Sequence, residues 1–368
     1  MKTIGKSIEP TLEQLEEKSL SEDDYSEVPP SDIVAYNELR SCADLFRMKQ
    51  QGILQIQPEF QRDVVWKGPD QSRFIDSLIK QLPIPSMCFA LDHKAQQWIV
   101  IDGLQRISTI VRFLEGGDWN ISDLDDIEPA IAGKSVAAIK MRDNPLHQFY
   151  TRVENLTIPV TVLRCDLTKK NHTEYLFTIF HRLNTGGMKL NNQEIRNCIY
   201  SGTFNNFLKE ADKNAAWRKL NRMQPKQSYR FSKQEIILRF LAFYDRVLTY
   251  EGHLAKFLNA YMHDNREASE EFITAKRQLF QETVDCIVQK AFGGPPPKLS
   301  LTVLEALLFG VARNLEALKH EDAAVVAARF RALTEHEEFS EASLKEGLSK
   351  KPRVITRLTT AARIFAGQ

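Results

Sequence analysis

Apolar positions change their period along the chain, and the change divides it. Up to about residue 166, short apolar runs alternate with amphipathic stretches; beyond it nearly every segment repeats at helical spacing. Leu39 to Gln51 reads as a helix, and "ILQIQPEFQRDVVW" (53–66) alternates and turns extended around Pro58. Phe74, Ile75, Leu78 and Ile79 in "PDQSRFIDSLIKQL" predict a helix. "PIPSMCFAL", "QWIVI" and "TIPVTVLRC" predict strands. Ile107, Ile110, Val111 and Leu114 share one face of a further helix, which Gly116-Gly117 stops. "TEYLFTIFHRL", "NQEIRNCIYSGTFNNFLKEA", "KQEIILRFLAFYDRVL" and "ASEEFITAKRQLFQETVDCIVQKAF" all run at helical period. "GGPPPK" (Gly293 to Lys298) breaks the pattern, and two or more helices follow it. The reading is α+β: a small mixed α/β domain over 35–166, then a larger all-helical domain over 167–368.

Composition is ordinary for a globular chain of 368 residues, 43% hydrophobic and 26% charged. Net charge is only +1, which excludes a polycation, but the charge is unevenly spread. Residues 1–32 carry three Lys and nine Asp or Glu, net −6, leaving about +7 for the rest. Residues 1–34 therefore read as an acidic flexible arm. Five scattered cysteines without a Cys-x-x-Cys pair, and the lack of a signal peptide or membrane-length apolar run, predict a reduced cytoplasmic protein with buried thiols and no membrane partner. The eight histidines lack metal spacing, so no zinc site is expected. "AGKSV" (132–136) resembles the end of a P-loop, but Glu128 stands where its first Gly should be.

Three stretches carry candidate chemistry. In "WIVIDGLQRISTIVRF", Asp102 ends a buried strand and a helix begins within three residues. Gly103 would let a ligand approach the backbone, the new helix offers free N–H groups to an anion, and Arg106 can fork onto phosphate oxygens. Asp102 could there hold a Mg²⁺ ion. The alternative is local: Asp102 as N-cap and Gln105 at N3 make a capping-box-like pair. The second stretch, "PEFQRDVVW", sets Gln61 and Arg62 beside extended backbone, or simply exposes an Arg on a strand edge. The third, "FHRLNTGGMKLNNQEIRNCIY" (180–200), ends a helix in Asn184, Thr185, Gly186 and Gly187, a loop suited to presenting backbone N–H groups. Asn191 and Glu194 then cap the next helix, and Arg182 and Arg196 flank the loop; a well-made helix–loop–helix corner explains the same residues. Residues 213–233 hold seven basic side chains and no acid, with Trp217, Tyr229 and Phe231 interleaved. This is either a solvated linker or a nucleic-acid contact through Arg218, Lys219, Arg222, Lys226 and Arg230.

Taken in order, "PEFQRDVVW", "RFIDSLIKQLPIP", "IVIDGLQRISTI", "FHRLNTGGMKLNNQEIRN" and "ILRFLAFYDRVLTYEGHLAKFLNAYM" resemble the N-terminal domain family of GmrSD-type restriction systems across about 35–265. The family is similar in fold to the ParB/sulfiredoxin group. The resemblance implies a nucleotide-binding α/β core whose Asp-Gly-x-x-Arg turn receives phosphate. Its motif positions here are Gln61, Arg62, Asp102, Gly103, Gln105, Arg106, Arg182, Asn184, Thr185, Gly186, Gly187, Glu194, Arg196 and Asn197. Asp102, Gln105 and Arg106 would be the catalytic candidates, with Mg²⁺ on Asp102 and ATP or GTP as cofactor.

Leu104 departs from the usual Asp-Gly-Gln-Gln-Arg turn and removes an amide. No HNH nuclease domain is recognisable after the helices, so any cutting would fall to a separate nuclease or effector protein. The expectation is a nucleotide-binding module, with hydrolysis as a further option, of a prokaryotic anti-phage or DNA restriction system. Two alternatives stand beside it: a non-catalytic DNA-binding module, and a ParB-like metal-dependent nuclease using Asp102 and Glu194.

Overall fold

The computed structural model describes residues 29–56, 66–183, 190–225, 229–340, 343 and 348–368. The chain divides into two compact units, one ending at Leu190 and one beginning at Asn191. The first contains β1 (Val34–Ser41), α1 (Cys42–Gln50), β2 (Leu54–Gln55), α2 (Gly68–Ile79), β3 (Met87–Asp92), β4 (Gln97–Asp102), α3 (Leu104–Glu115), α4 (Val136–Lys140), α5 (His147–Asn155), β5 (Thr157–Cys165) and α6 (Lys170–Leu183). The mixed α/β reading holds, with one five-stranded sheet ordered β1-β5-β3-β4-β2.

β1 and β5 are antiparallel, β5 and β3 parallel, β3 and β4 antiparallel, and β4 and β2 parallel. One face carries Phe89, Trp98, Val100, Ile158, Val160 and Val162. These pack under Leu45 of α1, Ile75 and Leu78 of α2, Ile107, Ile110 and Phe113 of α3, and Val153 of α5. Each such residue removes a large apolar side chain from water, at about 1.5–3 kcal/mol apiece. On the opposite face Ala90, Ile99, Ile101 and Leu163 are also buried, and α6 packs there against β4.

α6 moves the domain boundary. The fading of strand signals after Asp166 placed the division there, but α6 packs against β4 on the second sheet face, so the first unit runs on to Leu190. β1 corrects a second expectation: the helix predicted over Leu39 to Gln51 begins at Cys42, and Leu39 lies in a strand. Ser41 is the N-cap, its side chain accepting from the Asp44 N–H.

The second unit is helical among its described residues. It comprises α7 (Asn192–Ile199), α8 (Thr203–Ala211), α9 (Ala215–Leu220), α10 (Ser232–Arg246), α11 (Leu254–Asp264), α12 (Glu270–Cys286), α13 (Leu301–Arg313), α14 (Leu315–His320), α15 (Ala323–Glu335) and α16 (Lys351–Ala366). "NQEIRNCIYSGTFNNFLKEA", which runs at helical period, forms two helices, α7 and α8. They part at Gly202, where a side-chain carbon would sit 2.3 Å from the Arg266 carbonyl oxygen.

Candidate phosphate site at the end of β4

The junction at Asp102 begins with a β-bulge. Phe89 of β3 pairs with Val100, but Cys88 pairs with Asp102, so the register shifts by one and Ile101 is the extra residue. Strict alternation would send Asp102 to the same side as Trp98 and Val100. The bulge instead turns it toward Cys88. The Cys88 thiol responds: burial, helped by the Asp102 charge, pushes it up to about 12.

Gly103 follows in the left-handed region, φ 95°, and forms the N-cap of α3 without a side-chain cap hydrogen bond. This overturns the Asp102–Gln105 capping pair. Asp102 accepts from Arg106 Nη2 through Oδ2 at 2.6 Å, while Gln105 Oε1 accepts the Trp66 N–H at 3.4 Å. The need for glycine also changes: a Cβ at 103 would fall 2.6 Å from Met87 Cγ. The missing side chain makes room for the Met87 side chain beneath the turn. Leu104 packs against the same core cluster. Its replacement of an amide thus exchanges a polar group at the turn for an apolar anchor at the first helical position.

Arg106 organises what remains. Its guanidinium donates from Nη1 to the Pro85 carbonyl and, at 3.5 Å, to that of Ser86, while Nη2 holds Asp102. The Arg106 side chain is 15% exposed and that of Asp102 40%. Strand end, helix start and the loop before β3 are therefore tied together by one cation. The first N–H groups of α3 have no partner within the helix and, with Arg106, make a positive end facing a half-exposed carboxylate. Among the described residues no three His, Cys, Asp or Glu side chains come together as a metal cage. A single carboxylate is the protein share that Mg²⁺ commonly takes when phosphates supply its other oxygens.

Of the other candidates, Arg182 lies exposed in the last turn of α6. Gln61, Arg62, Asn184, Thr185, Gly186, Gly187 and Lys226, and the arm up to residue 28, lie outside the described residues. The link from Trp66 to Gln105 does bring the last residue of "PEFQRDVVW" to the Asp102 junction.

Glu194, Arg196 and Asn197 belong to the helical unit and are buried there. Asn191 and Glu194 form the expected capping box of α7. Both Glu194 carboxylate oxygens also accept from Arg230, at 2.9 and 2.6 Å. Arg196 donates to Asn259 at 2.8 Å and to Glu235 at 3.0 Å; Asn197 exchanges hydrogen bonds with Gln234. Burial alone would raise Glu235, but the charges of Arg239 and Arg196 outweigh it and hold the carboxyl below its usual range. These motif residues bond to Arg230, just before α10, and to side chains of α10 and α11. Sequence reading missed this clasp because Gln234, Glu235, Arg239 and Asn259 are unremarkable one at a time. The signal that was present is the i, i+4 pair Glu235–Arg239 inside an apolar helix.

Arg230 is correspondingly drawn off the basic surface, which leaves Lys219 and Arg222 exposed and Arg218 half-buried. All five cysteines are buried, and burial pushes Cys42 and Cys165, like Cys88, up to about 12. Among the described residues no helix is long and apolar enough to cross a membrane.

Residues 42–201 match the family described as GmrSD restriction endonuclease, N-terminal domain. No curated protein and no solved structure matches the chain. The matched segment begins at α1, holds β2 to β5 and the Asp102 junction, and ends after α7, which supplies the first residues of the buried clasp.

Proposed function

We propose that the β4–α3 junction binds the phosphates of a nucleoside triphosphate, ATP or GTP, and that the chain is the nucleotide-dependent module of a DNA restriction system, working with a separate nuclease or effector. The observation that carries this reading is the arrangement at Arg106: one guanidinium joins a half-exposed Asp102 to the open N-terminus of α3, inside a segment of the GmrSD family. An incoming phosphate would meet the first N–H groups of α3 and the guanidinium N–H groups that Asp102, Pro85 and Ser86 leave over. Mg²⁺ entering with the phosphates would take Asp102 as its protein ligand and offset phosphate charge. Gln105 holds Trp66 and thereby the end of the Gln61–Arg62 motif; Arg62 is the candidate second cation.

The test is titration of the full chain with ATP and with GTP in Mg²⁺, beside measurement of phosphate release. Wild type should bind one of them, and Arg106→Ala should bind about 10- to 100-fold more weakly, the worth of a hydrogen bond to a charged group. Equal affinity in both proteins would refute the site. Phosphate release above background in wild type but not in Asp102→Asn would make the module a hydrolase.

A second reading is supported by Lys219 and Arg222, exposed at and just after the end of α9: contact with the DNA backbone. It predicts DNA affinity that falls with salt and survives Asp102→Asn. The nuclease reading fares worse, because Glu194 has both oxygens engaged by Arg230.

A further inference from the structure

The bulge that turns Asp102 toward Cys88 also puts it in line with residues from three other strands. Cys88 of β3 pairs with Asp102 on one side and with Thr161 of β5 on the other; Thr161 pairs with Asn37 of β1. Asp102, Cys88, Thr161 and Asn37 therefore form one row across four strands, on the face away from the main core. Three strand spacings make the row about 14 Å long.

Its outer half is polar and connected. Thr161 Oγ1 donates to Asn37 Oδ1 at 2.9 Å and meets Ser86 Oγ at 3.1 Å. The direction of the chain is thereby set: the hydroxyl proton of Thr161 goes to Asn37, so the Asn37 carboxamide turns its oxygen inward and leaves its NH₂ donors at the exposed end. Ser86 is also the residue whose carbonyl accepts from Arg106, at 3.5 Å. Two residues along β1 from Asn37, on the same face, Leu39 pairs with Pro159, and Leu39 is 68% exposed, an unusual placement for a leucine on a strand.

We propose that this row is a nucleoside subsite. The sugar and base of the nucleotide whose phosphates lie at Gly103 extend along Ser86, Thr161 and Asn37, with the base against Leu39 and Pro159. Three properties of the surface select that occupant. Among the described residues of the row only Asp102 is charged, so it suits the neutral part of a ligand whose charged part is held at Arg106. It offers both acceptors, at Ser86, and donors, at Asn37, as ribose hydroxyls and a base edge require. Its apolar patch adjoins the donors, as a stacking base needs. Asn37 lies outside the matched segment 42–201, so the subsite is formed partly by β1, which precedes it.

The proposal rests on the phosphate reading, and the experiment separates the two. The full chain with Mg²⁺ is titrated with ATP, GTP and inorganic tripolyphosphate, as wild type, Asn37→Ala, Thr161→Val, Thr161→Ser and Arg106→Ala. Asn37→Ala and the isosteric Thr161→Val should each weaken nucleotide binding about tenfold and leave tripolyphosphate unchanged, while Thr161→Ser keeps the donor and wild-type affinity. Arg106→Ala should weaken both ligands. Should Thr161→Val unfold, Asn37→Asp, which swaps the donor for an acceptor at an exposed site, takes its place with the same expected loss. Nucleotide affinity unchanged in the Asn37 and Thr161 variants overturns the subsite alone. Loss of nucleotide binding in those variants with none in Arg106→Ala overturns the phosphate site and leaves the row standing. Wild type binding neither nucleotide nor tripolyphosphate overturns both.

Discussion

The two units each hold an arginine–carboxylate cluster at the start of a helix, and the clusters are built to opposite ends. At the β4–α3 junction the pair is Arg106 and Asp102, with Asp102 40% exposed and nothing else charged bonded to it among the described residues. In the helical unit, Asn259, Arg196, Glu235 and Arg239 are linked to one another and, through Gln193, to Asn197 and Gln234, while Glu194 is bonded to Arg230. A buried charge is tolerated only if the polar atoms around it are satisfied, and here side chains of the same unit supply the partners. The exposed pair needs no such completeness and keeps donors for something else. The same residue types, acid, arginine and amide near a helix N-terminus, thus serve packing in one place and stay partly exposed in the other, where we propose that phosphate binds. Burial is what tells them apart.

The comparison can be broken most directly at Arg196. Arg196→Ala leaves Glu235 buried with one partner fewer and should destabilise the chain by about 3–5 kcal/mol, read from denaturant unfolding. A loss below about 1 kcal/mol would mean the clasp is not structural. Gly103→Ala comes next. It forces a left-handed residue to carry a side chain and drives it into Met87, for about 1–3 kcal/mol in the same assay.

Acid should sharpen the contrast. Glu235 lies below its ordinary value, so its contribution is complete above the unfolded-chain value of about 4.3 and is lost as pH falls through the lower folded value. Asp166 behaves alike in the first unit: burial would raise it, but Thr168 and Lys94 bring it to about 2 from 3.8, so its contribution is lost between about pH 4 and 2. Glu235→Gln should flatten the acid limb of stability against pH; an unchanged limb would count against the network. Arg106→Ala should change stability by less than about 1 kcal/mol, the usual worth of a partly exposed pair, while it weakens phosphate binding. The smallest effect belongs to Lys219→Ala: unaltered folding, and a salt slope of DNA binding reduced by about one.

The sequence made α2, β4, α3 and β5 readable because each has a clean period and a proper stop, such as Gly116 at φ 73° closing α3. β1 was illegible for a physical reason. As an edge strand it has little apolar alternation: of Tyr36, Glu38 and Arg40 on one face, two are charged, so the period-2 pattern carries almost no hydrophobic signal. Asp102 and Arg106 were placed correctly at a strand–helix junction. Their bond to each other was not foreseen, because the bulge at Ile101 depends on how β3 pairs, which is nonlocal. Glu194, Arg196 and Asn197 were recognisable as a motif; only the partners on α10 and α11, some 40 to 60 residues away, disclose their bonds.

β1 has a consequence for the order of assembly. Ser41 pairs with Thr157 and Val34 with Arg164, so joining β1 to β5 closes a loop of well over 100 residues. Chain entropy makes such a closure slow and worthwhile only when a template exists. The β3–β4 hairpin, joined by the turn after Asp92, closes locally, and β5 then adds beside β3. β1 docks last, and the surface that Asn37 shares with Thr161 is the final part of the sheet to come into being.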